Sequence, residues 1–321
     1  MTVGRHRDAA AAGEPGEGRG ALVVGEALID IVVRDGRETG EHVGGSPLNV
    51  AVGLARLGRP VDFATFLGDD ARGRRIIEYV RASGVALTEG SVSASRTATA
   101  RAVLDEKGSA TYHFDIEWEP RPVAVAAPLV VHTGSIAAVL EPGAAEVSAT
   151  IDRYLPGSTI TFDPNLRPQL IADPAAARAR IDALVSRADV VKASDEDLRW
   201  IDPDRSPEDL AVQWLSKGPA LIAVTLGARG AFALTRTTTI HIPAPPTTVV
   251  DTVGAGDAFT AGLIDALWTA GLLGAENRNS LNHIGSDTLR EVLEIAALSS
   301  AVTVSRPGAD LPDRATRDAL Q

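Results

Sequence analysis

Asp251-Thr252-Val253-Gly254-Ala255-Gly256-Asp257, followed by the mostly apolar Ala258 to Trp268, is the stretch that decides how the chain is read. Two glycines separated only by Ala255 make a turn whose N–H groups no side chain shields. The helical pattern beyond them gathers those amides at a helix N-terminus, which is a site for anions. Asp257 sits where the helix begins. A carboxylate beside an anion hole is the arrangement that deprotonates a nucleophile attacking a phosphoryl group. A glycine turn with an aspartate N-cap spells the same letters, so the rest of the chain must decide.

Upstream, Ala21 to Val33 reads as a buried first strand interrupted by Gly25-Glu26 and Asp30, and buried carboxylates need a reason. Gly44-Gly45-Ser46-Pro47-Leu48-Asn49 then opens a helix that stops at Gly58. Ser46 is the expected N-cap, Pro47 the first helical residue, and Asn49 falls in the first turn beside the glycine pair. Asp69 or Asp70 opens a second helix closing near Gly84. Thr97 to Phe114 reads as a hairpin around Asp105-Glu106-Lys107-Gly108, and with the polar segment near 32–43 it would make a small sheet, a lid. From Leu129 to Thr225 strands alternate with helices. That order gives a mostly parallel sheet covered on both faces, with ligands collecting at the carboxyl ends of its strands.

Three segments fall at those ends. Asp163-Pro164-Asn165-Leu166-Arg167-Pro168 brings a carboxylate, an amide and a guanidinium together, and Arg167 could fork onto phosphate oxygens; a proline-rich turn with an ion pair reads equally from these letters. Lys192-Ala193-Ser194-Asp195-Glu196-Asp197 offers a near capping box from Ser194 to Asp197, or acids that orient water around Mg²⁺, and both can hold together. Thr225-Leu226-Gly227-Ala228-Arg229-Gly230-Ala231 is a glycine turn suited to close approach by a ribose or phosphate. Gly308, after Arg306-Pro307, reads as a simple helix stop.

Composition narrows the function classes. A chain of 321 residues with 45% hydrophobic residues can bury the core of one large α/β domain. A net charge of -11 argues against nucleic acid or an anionic membrane as partner. There is no cysteine, which excludes disulfides and thiolate chemistry. Lys107, Lys192 and Lys217 are the only lysines and none follows a glycine, so there is no Gly-Lys-Ser/Thr phosphate loop. His-Arg-Asp occurs only at residues 6–8, ahead of the first strand where no kinase catalytic loop can lie, Asp-Phe-Gly is missing, no Gly-x-Gly-x-x-Gly follows the first strand, and the histidines are scattered without metal-ligand spacing. With neither a signal-peptide core nor a membrane-length apolar run, a cytoplasmic protein is expected.

Gly44-Gly45 with Asn49, Gly68-Asp69-Asp70, Asp163-Pro164-Asn165, Thr225-Leu226-Gly227 and Asp251 to Asp257 occur in the order seen in ribokinase-like carbohydrate kinases. The resemblance covers about residues 21–310. Gly25-Glu26-Ala27-Leu28-Ile29-Asp30, Phe162 to Pro168 and Lys192-Ala193-Ser194-Asp195-Glu196 look most like the fructokinase branch. It implies a doubly wound, mostly parallel sheet between helices with a projecting β lid. A disordered tail would span 1–20, a core 21–31, 44–95 and 119–310, the lid 32–43 and 96–118, and a C-terminal tail 311–321.

The resemblance also implies Asp257 as catalytic base and the amides of Gly254, Ala255, Gly256 and Asp257 as the phosphoryl cradle. Sugar hydroxyls would fall to Asp30, Gly44, Gly45 and Asn49, with Asp163, Asn165 and Arg167 nearby. ATP would lie near Lys192, Ser194, Thr225, Gly227 and Gly230. Glu196 and Asp197 would hold Mg²⁺ mainly through water, although Asp197 stands where the family has a glutamate. Asp251 matches the position that helps bind a monovalent cation such as K⁺. The acceptor would be fructose, with 2-keto-3-deoxygluconate, ribose or a nucleoside as alternatives, and Arg101 on the lid hairpin is the residue an acidic sugar would want. A non-catalytic sugar- or nucleotide-binding protein is the reading from another class. Lids in the family often pair, which implies a homodimer.

Overall fold

A computed structural model describes residues 19–104 and 110–320. The tail up to residue 18 and the hairpin turn Asp105-Glu106-Lys107-Gly108 lie outside the described residues. The strand expected over Ala21 to Val33 is two strands. β1 (Ala21–Val24) is buried on both faces within the main sheet, whereas β2 (Leu28–Arg34) leaves it and pairs with β3 (Arg37–Gly44) in a second sheet. The break falls at Gly25-Glu26-Ala27, where Pro47 presses so closely on Gly25 that a side chain there would strike it.

Helix α1 (Ser46–Arg56) starts one residue earlier than expected: Gly45, at φ 114, is its N-cap, and Ser46 has turned its side chain elsewhere. Leaving the cap to a glycine with left-handed-region φ frees that hydroxyl. The chain continues through β4 (Val61–Ala64), β5 (Leu67–Gly68), α2 (Ala71–Ala82, capped by Asp70), β6 (Val85–Leu87) and β7 (Val92–Ala94). Strands β8 (Thr99–Leu104) and β9 (Ala110–Asp115) pair antiparallel, as the hairpin reading requires, and β8 runs parallel to β2.

Regular alternation follows. β10 (Val130–Gly134), α3 (Gly143–Tyr154), β11 (Thr159–Asp163), α4 (Pro174–Val185), β12 (Val190–Ser194), α5 (Asp195–Ile201), α6 (Pro207–Leu215) and β13 (Leu221–Thr225) build the parallel sheet; β14 (Ala231–Leu234) and β15 (Thr239–Ile242) extend it antiparallel. The sheet has nine strands in the order β15-β14-β13-β12-β11-β10-β1-β4-β6. The winding direction reverses between β1 and β10, so the crevice for ligands opens at their carboxyl ends. One core cluster packs the side of α1, α7 (Ala255–Thr269) and the long helix Ser286–Val304, and the other fills the side of α3 to α6 around the fully buried Trp214.

The smaller sheet, in the order β3-β2-β8-β9, is also two-faced. Ile29, Ile31 and Val33 join the large core, while Leu28 and Ala100 pack against Ile136, just past β10. Salt bridges from Arg72 and Arg75 of α2 to Glu41 fasten its β3 edge. After α7 the chain forms a short helix, Arg278–Asn282, tied by Arg278 to Asp189 at 2.7 Å.

The expected C-terminal tail is also structured. It carries helix Arg314–Asp318, with Leu311 and Arg317 buried. The anchor is Asp265, on α7, which accepts from Arg59 at 2.7 Å, Arg314 at 2.7 Å and Arg317 at 2.6 Å and is 1% exposed. Burial alone would raise this carboxyl, but Arg317, Arg59 and Arg314 outweigh it and hold it below the usual carboxylate range. A depressed acid contributes stability above its unfolded pKa and loses it as pH falls through the folded value. Asp265→Asn should therefore cost about 3 kcal/mol at pH 7, because three guanidiniums lose their anion. The difference from the unmodified protein in urea unfolding should shrink as both are taken below about pH 4; an undiminished difference there would rule out the charge network as its source.

Candidate active site

Helix α7 begins at a bend that only glycine adopts freely. Gly254 is its N-cap at φ 78, and Ala309 packs where a side chain would project. Among the described residues, the N–H groups of Gly256 and Asp257 make no hydrogen bond, as expected of a first helical turn. Asp257 is the third residue of the helix, not its cap. Its side chain points back across the turn and is 6% exposed.

Residues from distant segments converge on that carboxylate. Ser46 Oγ donates to Oδ1 at 2.6 Å, Asn49 Nδ2 to Oδ2 at 2.8 Å, and Asn165 Nδ2 to Oδ1 at 3.3 Å. Ser46 and Asn49 are one turn apart on α1 and so share a face. Asn165 sits at φ 37, and Arg167 Nη1 braces it by donating to its Oδ1 at 2.8 Å and its backbone O at 3.0 Å. The guanidinium expected to fork onto phosphate is thus partly spent on its own loop.

Asp30, on β2, lies against the Cα of Gly44, where any side chain would collide with its carboxylate. Burial lifts it to about 6, with Arg167 and then His42 pulling it back down. Arg101 belongs elsewhere. It pairs with Ile31 across the strands, not with Asp30, so it points to the opposite face of the small sheet, where it bridges Glu38. The alternation of a strand decides this, and the sequence could not fix the register.

Behind the helix terminus lies a buried ion pair. Lys192 Nζ donates to Asp163 Oδ2 at 2.8 Å, and Thr260 of α7 donates to the same oxygen at 3.1 Å. Asp163 is 1% exposed and faces Lys192, so its part in the site is to hold that lysine. Burial lifts Asp163 to about 6 against the pull of Lys192. Burial pushes Lys192 down, but the carboxylates of Asp163, Asp197 and Asp257 outweigh it and keep it a cation. A side chain on Gly256 would come within 3.0 Å of Lys192 Nζ, so the ammonium stands directly behind the glycine turn.

Asp197 closes a capping box: Oδ2 accepts from Ser194 N at 2.9 Å and Ser194 Oγ at 2.6 Å, while Oδ1 accepts from Leu166 N at 2.8 Å. Its oxygens are committed to the fold, whereas Glu196 beside it is exposed. No group of three acids or histidines placed to hold a metal occurs among the described residues. Asp251 accepts from Val253 N at 3.0 Å and Gly308 N at 2.9 Å, so Gly308 does more than end a helix. Thr225 is half-buried with Oγ1 at 3.5 Å from Ala193 O; beside it Gly227, at φ 58, faces open space, and Gly230, at φ 91, packs on the backbone of Ile242. Arg229 ties this turn to Asp195 at 2.7 Å.

Three residues of the cluster were missed by the sequence reading as site residues. Ser46 was read only as a cap, although its spacing of three from Asn49 was a usable signal. Thr260 stands three residues after Asp257. Glu26, read only as a buried acid, reaches across the sheet's switch point to accept from Ala137 N at 3.0 Å.

The pattern for pfkB family carbohydrate kinases matches residues 19–316. The fructokinase of Rhizobium leguminosarum bv. trifolii is 36% identical over 265 residues, 78% of this chain and 81% of that protein. Among solved structures, a double-mutant fructokinase of Vibrio cholerae O395 bound to fructose, ADP and a potassium ion superimposes with a TM-score of 0.80 at 26% identity, covering 95% of this chain and 99% of that one. The ATP-bound fructokinase of Xylella fastidiosa gives 0.79 at 27%, covering 94% and 97%.

Glu26 gives the cluster a pH signature. It is 3% exposed, and burial raises it from an ordinary 4.5 to about 7 despite the hydrogen bond from Ala137 N and the charge of Arg167. The protonated form is the one the fold prefers, so its contribution is complete below about pH 4.5 and is lost as pH rises through about 7. Glu26→Gln, an isostere that never ionises, should match the parent near pH 4 in urea unfolding and exceed it by up to about 3 kcal/mol at pH 9. Equal stability at both pH values would show that Glu26 ionises without penalty.

Proposed function

The chain belongs to the pfkB family of carbohydrate kinases and is an ATP-dependent sugar kinase; from that premise we propose that its acceptor is fructose and that Asp257 is the general base. The observation that carries the second half is the convergence of Ser46, Asn49 and Asn165 on one buried carboxylate at a helix N-terminus. A primary hydroxyl at the remaining acceptor direction of Asp257 gives up its proton as its oxygen attacks the γ-phosphorus. The bond to the β-phosphate oxygen breaks and ADP leaves. The amides of Gly254, Gly256 and Asp257 receive the phosphoryl oxygens, joined by Ala255 N once it leaves its 3.3 Å bond to Thr252 O, with the Lys192 ammonium behind Gly256 adding positive potential where negative charge grows. Asp30, Gly44, Gly45 and Asn49 grip the other hydroxyls of the sugar.

Nucleotide lies along Ser194 and the turn Thr225 to Gly230, where Gly227 leaves room for close approach. Glu196, exposed beside the capping box, is the acid that would hold the waters of a Mg²⁺ ion brought in with the phosphates. When bound, the ion neutralises phosphate charge. Asp251 keeps a second lone pair on each oxygen with which to meet a monovalent cation.

A neutral sugar suits the site better than 2-keto-3-deoxygluconate. Arg101 faces away from Asp30 and bridges Glu38, and Arg167 spends Nη1 on its own loop, so little guanidinium is left over for a carboxylate of the substrate. The four-stranded sheet, carrying Asp30 on one face, acts as a lid. Its β9 edge, with Tyr112 48% exposed and stacked on Phe114, is where we place a homodimer contact. The net charge of -11 leaves no surface logic for nucleic acid or anionic membrane, and no helix among the described residues is long and apolar enough to cross a membrane. A cytoplasmic enzyme, with access to ATP, fits this reading.

Two measurements test it. Initial rates with ATP and a panel of fructose, ribose, 2-keto-3-deoxygluconate and nucleosides should give the highest kcat/KM for fructose; a higher value for any other acceptor replaces it. Asp257→Asn keeps the shape and removes the base, and kcat should fall at least ~100-fold. Near-normal turnover by that variant would remove Asp257 from the role.

A further inference from the structure

Asp257 touches one hydroxyl that the reaction just described does not use. Ser46 is 7% exposed at the first residue of α1, and its Oγ lies 2.6 Å from Asp257 Oδ1. A serine at a helix start ordinarily turns back onto the backbone N–H groups of its own first turn. Here Gly45 takes the cap position and no side chain caps the helix, while Pro47 removes one of the N–H groups that a cap would serve. The hydroxyl is spent on the carboxylate instead.

Counting lone pairs gives that contact a meaning. A carboxylate has about four acceptor directions, two on each oxygen. Ser46 and Asn165 take both on Oδ1, the latter by a long bond of 3.3 Å; Asn49 takes one on Oδ2. One direction on Oδ2 is left. We propose that Ser46 is a positioning residue for phosphoryl transfer: its hydroxyl saturates Oδ1 and fixes the rotation of the carboxylate, so that the free direction on Oδ2 is the one that receives the proton of the sugar. This rests on Asp257 being the base. Without Ser46 only the long bond from Asn165 restrains Oδ1, and the carboxylate samples rotations in which the acceptor hydroxyl has no aligned lone pair. Ser46 acts through Asp257, so its loss acts on kcat and not on substrate binding.

Ser46→Ala should lower kcat about tenfold while KM for fructose and for ATP stays within about twofold. The double variant Ser46→Ala/Asp257→Asn should be no slower than Asp257→Asn alone, since both changes remove one device. Ser46→Thr and Ser46→Val have the same shape and differ only in the hydroxyl; the threonine variant should turn over about tenfold faster, which keeps the test valid if alanine disturbs the helix start. An unchanged kcat in Ser46→Ala, a raised KM at constant kcat, a full additive loss in the double variant, or equal rates for threonine and valine would each overturn the proposal. If Asp257→Asn itself keeps near-normal turnover, the base assignment fails first; a normal loss there with an unaffected Ser46→Ala sinks the positioning role alone.

Discussion

The structure turns on a buried negative charge at the start of α7. A carboxylate that is 6% exposed must be met by donors, and here they come from chain positions 211, 208 and 92 residues away. Meeting it brings together the first turn of α1 and the loop after β11, and so determines where the crevice at the sheet's switch point closes. The loop after β11 is in turn braced by Arg167 and by the capping box at Asp197, so the donors reach Asp257 already ordered. Ordered donors cost little to reorganise when a proton moves.

Helix α7 carries a second buried carboxylate at Asp265, and the contrast between the two is instructive. Asp265 is surrounded by three guanidiniums, which keep it ionised and bind the C-terminal helix to the core. Asp257 is held by an alcohol and two amides, neutral groups that orient an oxygen without supplying a counter-charge. The positive charge near the helix start sits one layer back, on Lys192, which is hydrogen-bonded to Asp163 and not to Asp257. One carboxylate of the helix thus ties the C-terminal segment to the core, while the other, under the proposed mechanism, is left to accept a proton. The same residue type serves both because its partners differ.

The smaller sheet shows how backbone alternation assigns roles. Adjacent residues Asp30 and Ile31 face opposite ways, one toward the glycine pair and the other into the large core. Their strand neighbours follow, so Ala100 shares a face with Asp30 and Arg101 does not. A basic residue that looked suited to an acidic sugar is thereby placed beside Glu38.

What the sequence settled by itself is local in origin. The alternation of strands and helices from Leu129 to Thr225, the Gly254 turn, a helix opened at Asp69 or Asp70 and the Ser194–Asp197 box are all written within a few neighbouring residues, because turn geometry and capping depend on short spacings. Tertiary structure alone decided the break of the first strand at Gly25, the folding of the C-terminal segment onto Asp265, the face of Arg101 and the turn of Ser46 toward Asp257. Each depends on which distant group lies opposite, and a hydrogen bond or ion pair between residues some two hundred positions apart leaves no trace in local spacing. Only packing the helices on one sheet brings those partners within reach.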